Sequence, residues 1–137
     1  MIITKRYDWC MGHRLPNHDG KCFRLHGHQY TAEIDIEGLV QGNTGMVLDF
    51  YLIKKAIEEQ IGDWDHRTML WAHDEMLVST LAGHKQDVHF GVFRVPFIPT
   101  AENIATEILQ RLRLVDLNVV RVRVYETPDG WAEARYV

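Results

Sequence analysis

The chain has 137 residues, of which 46% are hydrophobic and 25% charged, and its formal net charge at pH 7 is −4. This length favours a single domain, assigned to residues 1–137, and no apolar run approaches the roughly 20 residues of a membrane span. The negative charge argues against a broad nucleic-acid-binding surface. The N-terminus lacks a secretory-signal pattern, and two cysteines cannot build a disulfide framework, so we expect a cytoplasmic protein.

The first apolar segment, "MIITKRYDWCMGH", ends at His13, and the stretch "GKCFRLHGHQY" follows with His26 and His28 two residues apart. On a strand, residues i and i+2 point the same way about 7 Å apart, so these two imidazoles can aim at one point. A strand–loop–strand connection could return His13 to the same place. Three imidazoles with an open fourth position would form a catalytic zinc site.

The alternative for the histidine pair is chance, because the chain holds eight histidines and an HxH pair is common. The remaining candidates are expected to be ordinary surface or core residues; they are His18, His73, His84 and His89. Spacing alone therefore leaves the metal site and the accidental pair both open.

Cys22 lies in the same short stretch, beside Lys21 and near Arg24. Positive charge and a metal would make its thiol a usable base or nucleophile. The alternative is a small buried hydrophobic residue, which is what most lone cysteines are.

Alternating hydrophobic and polar residues predict three strands. The segment "YTAEIDIEG" has a period of two and indicates a strand over residues 29–38 with one solvated face. Near the C-terminus, "NVVRVRVYE" repeats the pattern, and "WAEARYV" follows a "PDG" turn, so a hairpin is expected there.

Two segments between these strands have helical periodicity. One follows Asp49 and runs to Ile61, and the other follows Thr100, a suitable N-cap, and runs to Leu112. A shorter helix is expected around residues 74–82 and an extra strand at 88–95. The order of elements predicts an α+β fold, an antiparallel four-stranded sheet with two helices on one face.

Three acidic or basic side chains outside the histidine pair are further candidates for chemistry. Asp65 directly precedes His66 in "DWDHRTM", and such a pair can shuttle protons or simply reflect polarity at a helix end. Glu126 closes a strand in "VYETPDG", where it is either a turn residue or an acceptor for two N–H groups of a guanidine-like ring edge.

Six short motifs occur together in one order: "HRLP", "CFRLHGH", "GMVLDF", "DH", "PTAEN" and "YETPDGWAEA". In this order the chain resembles the family of 6-pyruvoyl-tetrahydropterin and 6-carboxy-tetrahydropterin synthases nearly end to end. The resemblance implies that His13, His26 and His28 bind Zn²⁺ and that Cys22 is the catalytic base.

The same resemblance implies roles for the remaining candidates. Asp65 with His66 would complete a proton relay, and Glu126 would anchor the pterin ring, with Thr100, Ala101 and Glu102 close to the same pocket. The family has the tunnelling fold, in which strands of several subunits form a barrel and the active sites lie between subunits. A homo-oligomer, expected to be a hexamer, follows from the resemblance, with no nucleic-acid or membrane partner.

The spacing CxxxHGH, from Cys22 to His28, resembles the 6-carboxy-tetrahydropterin synthase branch of queuosine and other 7-deazapurine pathways. That branch implies zinc-dependent conversion of 7,8-dihydroneopterin triphosphate to 6-carboxy-5,6,7,8-tetrahydropterin, with release of triphosphate and acetaldehyde. The alternatives are the pyruvoyl branch and a non-catalytic module that binds a pterin or purine. Candidates for binding the triphosphate are Lys21, Arg14 and Arg24.

Overall fold

The computed structural model describes residues 1–82 and 91–137. Within them the strands are β1 (Ile2–His13), β2 (His26–Glu37), β3 (Arg67–Trp71), β4 (Val92–Val95), β5 (Val119–Thr127) and β6 (Gly130–Arg135). The helices are α1 (Phe50–Ile61), α2 (Glu75–Leu77) and α3 (Ala101–Leu114), with 3-10 turns at Lys21–Phe23 and Gly62–Trp64 and a π turn at Val78–Ala82. None of the helices in these ranges is long and apolar enough to cross a bilayer.

The strands form one mixed sheet in the order β4-β3-β1-β2-β5-β6. Strands β1, β2, β5 and β6 are antiparallel neighbours, whereas β3 runs parallel to β1 and β4 parallel to β3. The predicted α+β class is confirmed, but the four-stranded antiparallel sheet is wrong, since β3 and β4 extend it in parallel. Parallel neighbours need crossover connections, and α1 lies in the chain between β2 and β3.

The β1–β2 ladder sets the positions of the histidines. Its register pairs Ile2 with Glu37 at one end and His13 with His26 at the other. The predicted strand at 29–38 is confirmed but begins earlier, so that His26 and His28 lie inside β2. Because β1 and β2 are antiparallel, His13 at the end of β1 and His26 at the start of β2 are neighbours across the ladder, although a loop separates them in the chain.

Both long helices begin where the sequence predicts them. The Asp49 carboxylate accepts a hydrogen bond from the Tyr51 N–H at 2.8 Å, and the Thr100 hydroxyl accepts one from the Asn103 N–H at 3.2 Å. Each cap satisfies a backbone donor that the first helical turn leaves free. The core lies between these helices and the sheet; its residues include Tyr30, Ile34, Ile53, Ile57, Ile104, Ile108, Val122 and Val124.

The short helix and the extra strand that the sequence predicts are present in part. The short helix expected at 74–82 corresponds to α2 and the π turn after it. The strand expected at 88–95 corresponds to β4 over Val92–Val95, while residues 88–90 lie outside the described ranges, as do His84 and His89. The C-terminal hairpin is confirmed as β5 and β6.

Candidate active site

Three histidines converge at the end of the β1–β2 ladder. The ring centroids of His13 and His26 lie 4.6 Å apart, those of His13 and His28 5.1 Å, and those of His26 and His28 4.9 Å. One ligand nitrogen from each ring lies within 4.8 Å of the others. This group can hold a metal ion, as the i, i+2 spacing and the position of His13 predict.

Backbone carbonyls orient two of the three rings. The Nδ1 of His13 lies 2.7 Å from the carbonyl oxygen of Pro99, and the Nδ1 of His26 lies 2.6 Å from that of Arg24. A carbonyl only accepts, so in each neutral ring Nδ1 carries the proton and Nε2 presents its lone pair. Metal-ligating histidines typically have such a partner on the second nitrogen.

Burial favours the neutral form of two of the three rings, His13 and His28. It lowers the pKa of His13 to about 4, against the opposing hydrogen bond to Pro99 and with a further lowering by the two neighbouring imidazoles. Burial, followed by the charge of His26, also lowers the pKa of His28. Neutral imidazole is the form that binds a metal, so at pH 7 these rings are ready to act as ligands.

The Tyr30 ring packs against the histidine cluster, a contact that the sequence analysis missed. Its fully buried ring meets those of His13 and His28 edge-on, at centroid distances of 5.7 and 5.5 Å, and stacks on Trp9 at 5.2 Å. Its position two residues after His28 on β2 was the available signal, because side chains at i and i+2 share a face of a strand.

Glu126 lies next to the histidines although most of the chain separates them in sequence. Its Oε1 is 3.8 Å from the Nε2 of His13, and its Oε2 is 3.9 Å from the Nε2 of His28. Burial raises the pKa of Glu126, the nearby carboxylate of Glu102 adds to the rise, and His26 opposes it. A carboxylate in this position can accept hydrogen bonds from a ligand beside the metal.

A cavity of about 470 Å³ opens beside Glu126, a volume suited to a small-molecule ligand. All four residues predicted for the pterin pocket line it; they are Thr100, Ala101, Glu102 and Glu126. Cys22, the predicted base, lines it too, together with Leu15, His18 and Trp131. Cys22 is a free, partly exposed thiol on the Lys21–Phe23 turn. The structure therefore brings the predicted base and the predicted ring anchor into one pocket.

The Asp65–His66 pair lies elsewhere on the chain. The Asp65 carboxylate contacts the His66 Nδ1 at 2.9 Å and accepts a hydrogen bond from the Cys10 N–H at 2.9 Å, which is the main cause of its lowered pKa. His66 is exposed and has φ 60. Cys10 precedes His13 by three residues, about 10 Å along a strand. Within one chain, the pair is thus separate from the histidine cluster.

The candidate phosphate-binding residues differ in availability. Lys21 and Arg24 are exposed. Arg14 is buried and bound by both oxygens of the Asp74 carboxylate, at 2.8 and 2.9 Å. A guanidinium already paired in this way is not a free anion site. His18 and His73 are exposed, as expected of ordinary histidines.

A mixed sheet backed by two helices carries three histidines beside a pocket that holds a carboxylate and a thiol, and this combination is typical of a metal-binding site for a small molecule. A family model described as 6-pyruvoyl tetrahydropterin synthase matches residues 2–136, and the chain belongs to this family. The resemblance seen in the six motifs is thereby confirmed.

Relatives and solved structures agree with this assignment. The chain is 36% identical over 140 residues to a 6-carboxy-5,6,7,8-tetrahydropterin synthase from Rickettsia conorii, covering 95% of this chain and 96% of the relative. It is 33% identical over 135 residues to the 6-carboxy-5,6,7,8-tetrahydropterin synthase of Haemophilus influenzae, covering 96% of each. The fold matches that of the Caenorhabditis elegans 6-pyruvoyl tetrahydropterin synthase with a TM-score of 0.73 and 23% identity, over 100% of this chain and 96% of that one. The chain has the tunnelling fold of these neighbours.

Proposed function

We propose that residues 1–137 form a single domain and that this domain is a zinc-dependent 6-carboxy-tetrahydropterin synthase. It would convert 7,8-dihydroneopterin triphosphate and one water, which the atom balance requires, into 6-carboxy-5,6,7,8-tetrahydropterin, acetaldehyde and triphosphate. The product would enter 7-deazapurine (queuosine) biosynthesis. Support comes from the curated relatives in Rickettsia conorii and Haemophilus influenzae, which carry this activity in their names.

The observation that carries the proposal is the contact between His13 and His26, whose Nε2 atoms lie 3.1 Å apart. Both lone pairs point into one space, an arrangement that favours a bound cation. Zn²⁺ held by His13, His26 and His28 would supply a Lewis acid for the hydroxyl groups of the substrate side chain. The donor set of three neutral imidazoles suits zinc, and it leaves a fourth position open.

The pocket residues would bind the pterin ring and transfer protons. Glu126 would accept hydrogen bonds from the N–H edge of the pterin, next to the residues of the pocket wall, Thr100, Ala101 and Glu102. Cys22 would remove a proton from the substrate side chain as the general base. The proton would pass to the Asp65–His66 pair, whose hydrogen bond orients the imidazole.

The separation between Cys22 and His66 within one chain favours active sites shared between subunits. We propose a homo-oligomer, a hexamer as in the resemblance, in which Asp65 and His66 of one copy reach the pocket of another. The sheet supports assembly, because β4 and β6 are its outer strands in the described ranges, and outer strands offer unpaired backbone groups for intermolecular pairing.

The product decides between the carboxy and pyruvoyl branches. Incubation of the purified protein with 7,8-dihydroneopterin triphosphate, followed by mass identification of the product, is the direct test. We expect 6-carboxy-5,6,7,8-tetrahydropterin with equimolar acetaldehyde. A 6-pyruvoyl product would move the protein to the other branch, and pterin binding without turnover would indicate a non-catalytic module.

A further inference from the structure

A buried ion pair joins the chain after the first histidine to the start of α2. Arg14 donates from Nε and Nη2 to the two oxygens of Asp74, at 2.8 and 2.9 Å. The side chains are only 10% and 2% exposed. Desolvating two charges is costly, so a buried pair of this kind is weak evidence of added stability, and its contacts show what else it does.

The same guanidinium also contacts the turn that carries Cys22. The Arg14 guanidinium carbon lies 4.7 Å from the centre of the Phe23 ring, a cation–π distance. Next to this contact, the Leu15 N–H donates to the Cys22 carbonyl oxygen at 3.0 Å. Two consecutive residues after His13 are thus bound to two consecutive residues of the Lys21–Phe23 turn.

The chemistry of arginine suits this double contact. A planar guanidinium binds a carboxylate with its edge and an aromatic ring with its face at the same time, which a lysine ammonium cannot do. Two hydrogen bonds to Asp74 hold the guanidinium of Arg14 in place, and the Phe23 ring packs against it at 4.7 Å. The thiol is carried by the residue before Phe23.

We propose that Arg14 and Asp74 are positioning residues that set the orientation of the Cys22 turn in the pocket. The inference rests on the proposed role of Cys22 as the base, and it assigns neither residue a contact with substrate. It also explains why Arg14 does not bind the triphosphate, for which it was a candidate from sequence.

The test compares the full-length parent protein with Arg14→Lys, Phe23→Leu and the double variant. The matched control is Arg111→Lys, because Arg111 on α3 also binds a carboxylate, that of Glu107 at 2.6 Å, and lies 5.3 Å from the Trp64 ring. For each protein we would measure zinc content, kcat and KM with 7,8-dihydroneopterin triphosphate, and hydrogen exchange at the Leu15 amide.

We expect zinc content and KM to be kept in Arg14→Lys and Phe23→Leu, while kcat falls by about ten- to a hundredfold, as for a catalytic group displaced by about 1 Å. Exchange at the Leu15 amide should accelerate by roughly two- to thirtyfold, because the loss of a cation–π contact shifts the opening equilibrium of the turn by that factor. The double variant should be no slower than the worse single variant, because both changes break the same link. Arg111→Lys should match the parent in all measurements.

Additive losses in the double variant, or an equal loss in Arg111→Lys, would overturn the positioning role. Phe23 is 44% exposed, so Phe23→Leu tests the link even if Arg14→Lys fails to fold. The Cys22→Ala variant separates the two proposals. If it retains full turnover, the proposed function of Cys22 fails, whereas the exchange rate at Leu15 still reports whether Arg14 and Phe23 hold the turn.

Discussion

The Nε2 atoms of His13 and His26 face each other at 3.1 Å, while the Nδ1 of each ring is bound to a backbone carbonyl. Since the carbonyls leave both Nε2 atoms as acceptors, two lone pairs meet without a proton between them. Adding a proton is disfavoured by the burial that lowers the pKa of His13. A metal ion would relieve this repulsion, and His28 is placed to bind the same ion.

We therefore expect the purified protein to hold about one zinc per chain and His26→Ala or His28→Ala to lose it, because two imidazoles hold zinc poorly. Metal analysis of dialysed samples is the measurement. His73→Ala is the matched control, since His73 is exposed and meets the Trp71 ring edge-on, away from the histidine cluster. Full zinc occupancy in either ligand variant would refute the three-histidine site.

A second expectation concerns acid sensitivity of the metal-free protein. The pKa of His13 is about 4 in the folded protein and 6.5 in the unfolded chain, so between these values the unfolded chain binds more protons. Stability is thus lost as pH falls from about 6.5 to about 4, by about 3 kcal/mol from His13 alone. The raised pKa of Glu126 acts in the opposite sense, because the folded protein holds that proton at higher pH than the unfolded chain does.

Urea unfolding of the metal-free parent and of His13→Asn at several pH values isolates this contribution. The difference between the two proteins in the pH dependence of the unfolding free energy should have the slope of one proton within that window. If the unfolding free energies of parent and variant change with pH in parallel, the pKa of His13 is not lowered in the folded protein.

Local patterns predict the antiparallel half of the fold well. The alternation around Ile34 and around Val122 correctly marks two strands, and the caps at Asp49 and Thr100 mark the helix starts. The solvated face expected on β2 is wrong, because Thr31 and Asp35 are buried. Strand β3 has no such alternation, since Met69 and Leu70 are adjacent and both buried. Its parallel pairing depends on the crossover through α1, which residue periodicity does not encode.

The candidate site, like the fold, could be predicted from the sequence only in part. The HxH spacing predicts two ligands, because it fixes two side chains on one face of a strand. The carbonyls of Pro99 and Arg24 were missed, since a backbone acceptor leaves no trace in residue type. Arg14 was a candidate for phosphate binding from its charge, but Asp74, distant in sequence, binds it in the folded chain.

Shared active sites predict complementation between inactive variants. Cys22→Ala and His66→Ala should each keep zinc and lose turnover, because each removes one proton-transfer group and no ligand. In mixed oligomers assembled at random from equal amounts, roughly a quarter of the sites pair an intact Cys22 with an intact His66 of another subunit. Turnover should return to about that fraction of the parent rate.

Co-expression with two tags and purification through both provides the mixed oligomers, with light scattering to measure their mass. Cys22→Ala mixed with the double variant, Cys22→Ala combined with His66→Ala, is the control and should stay inactive. An active monomer, or mixed oligomers without recovered turnover, would contradict active sites shared between subunits.

The last prediction concerns Glu126, whose position beside the three histidines allows two roles, pterin anchor or metal ligand. As the anchor of the pterin ring, its carboxylate accepts N–H donors, and Glu126→Gln replaces one acceptor oxygen with a donor aimed at a donor. A lost charge-assisted hydrogen bond costs roughly 1.5–3 kcal/mol, so pterin affinity should fall by about ten- to a hundredfold. Its oxygens lie 3.8 and 3.9 Å from the Nε2 atoms of His13 and His28. If the three imidazoles hold zinc without Glu126, zinc should stay in this variant.

Titration of sepiapterin into the parent and Glu126→Gln, with zinc measured in the same samples, separates the roles. Glu59→Gln is the control for loss of a carboxylate, because Glu59 is exposed on α1 and is not part of the pocket lining. Weaker pterin binding with full zinc would support the ring anchor. Loss of zinc would make Glu126 a metal ligand, and unchanged affinity would mean that the ring is held by other residues of the pocket.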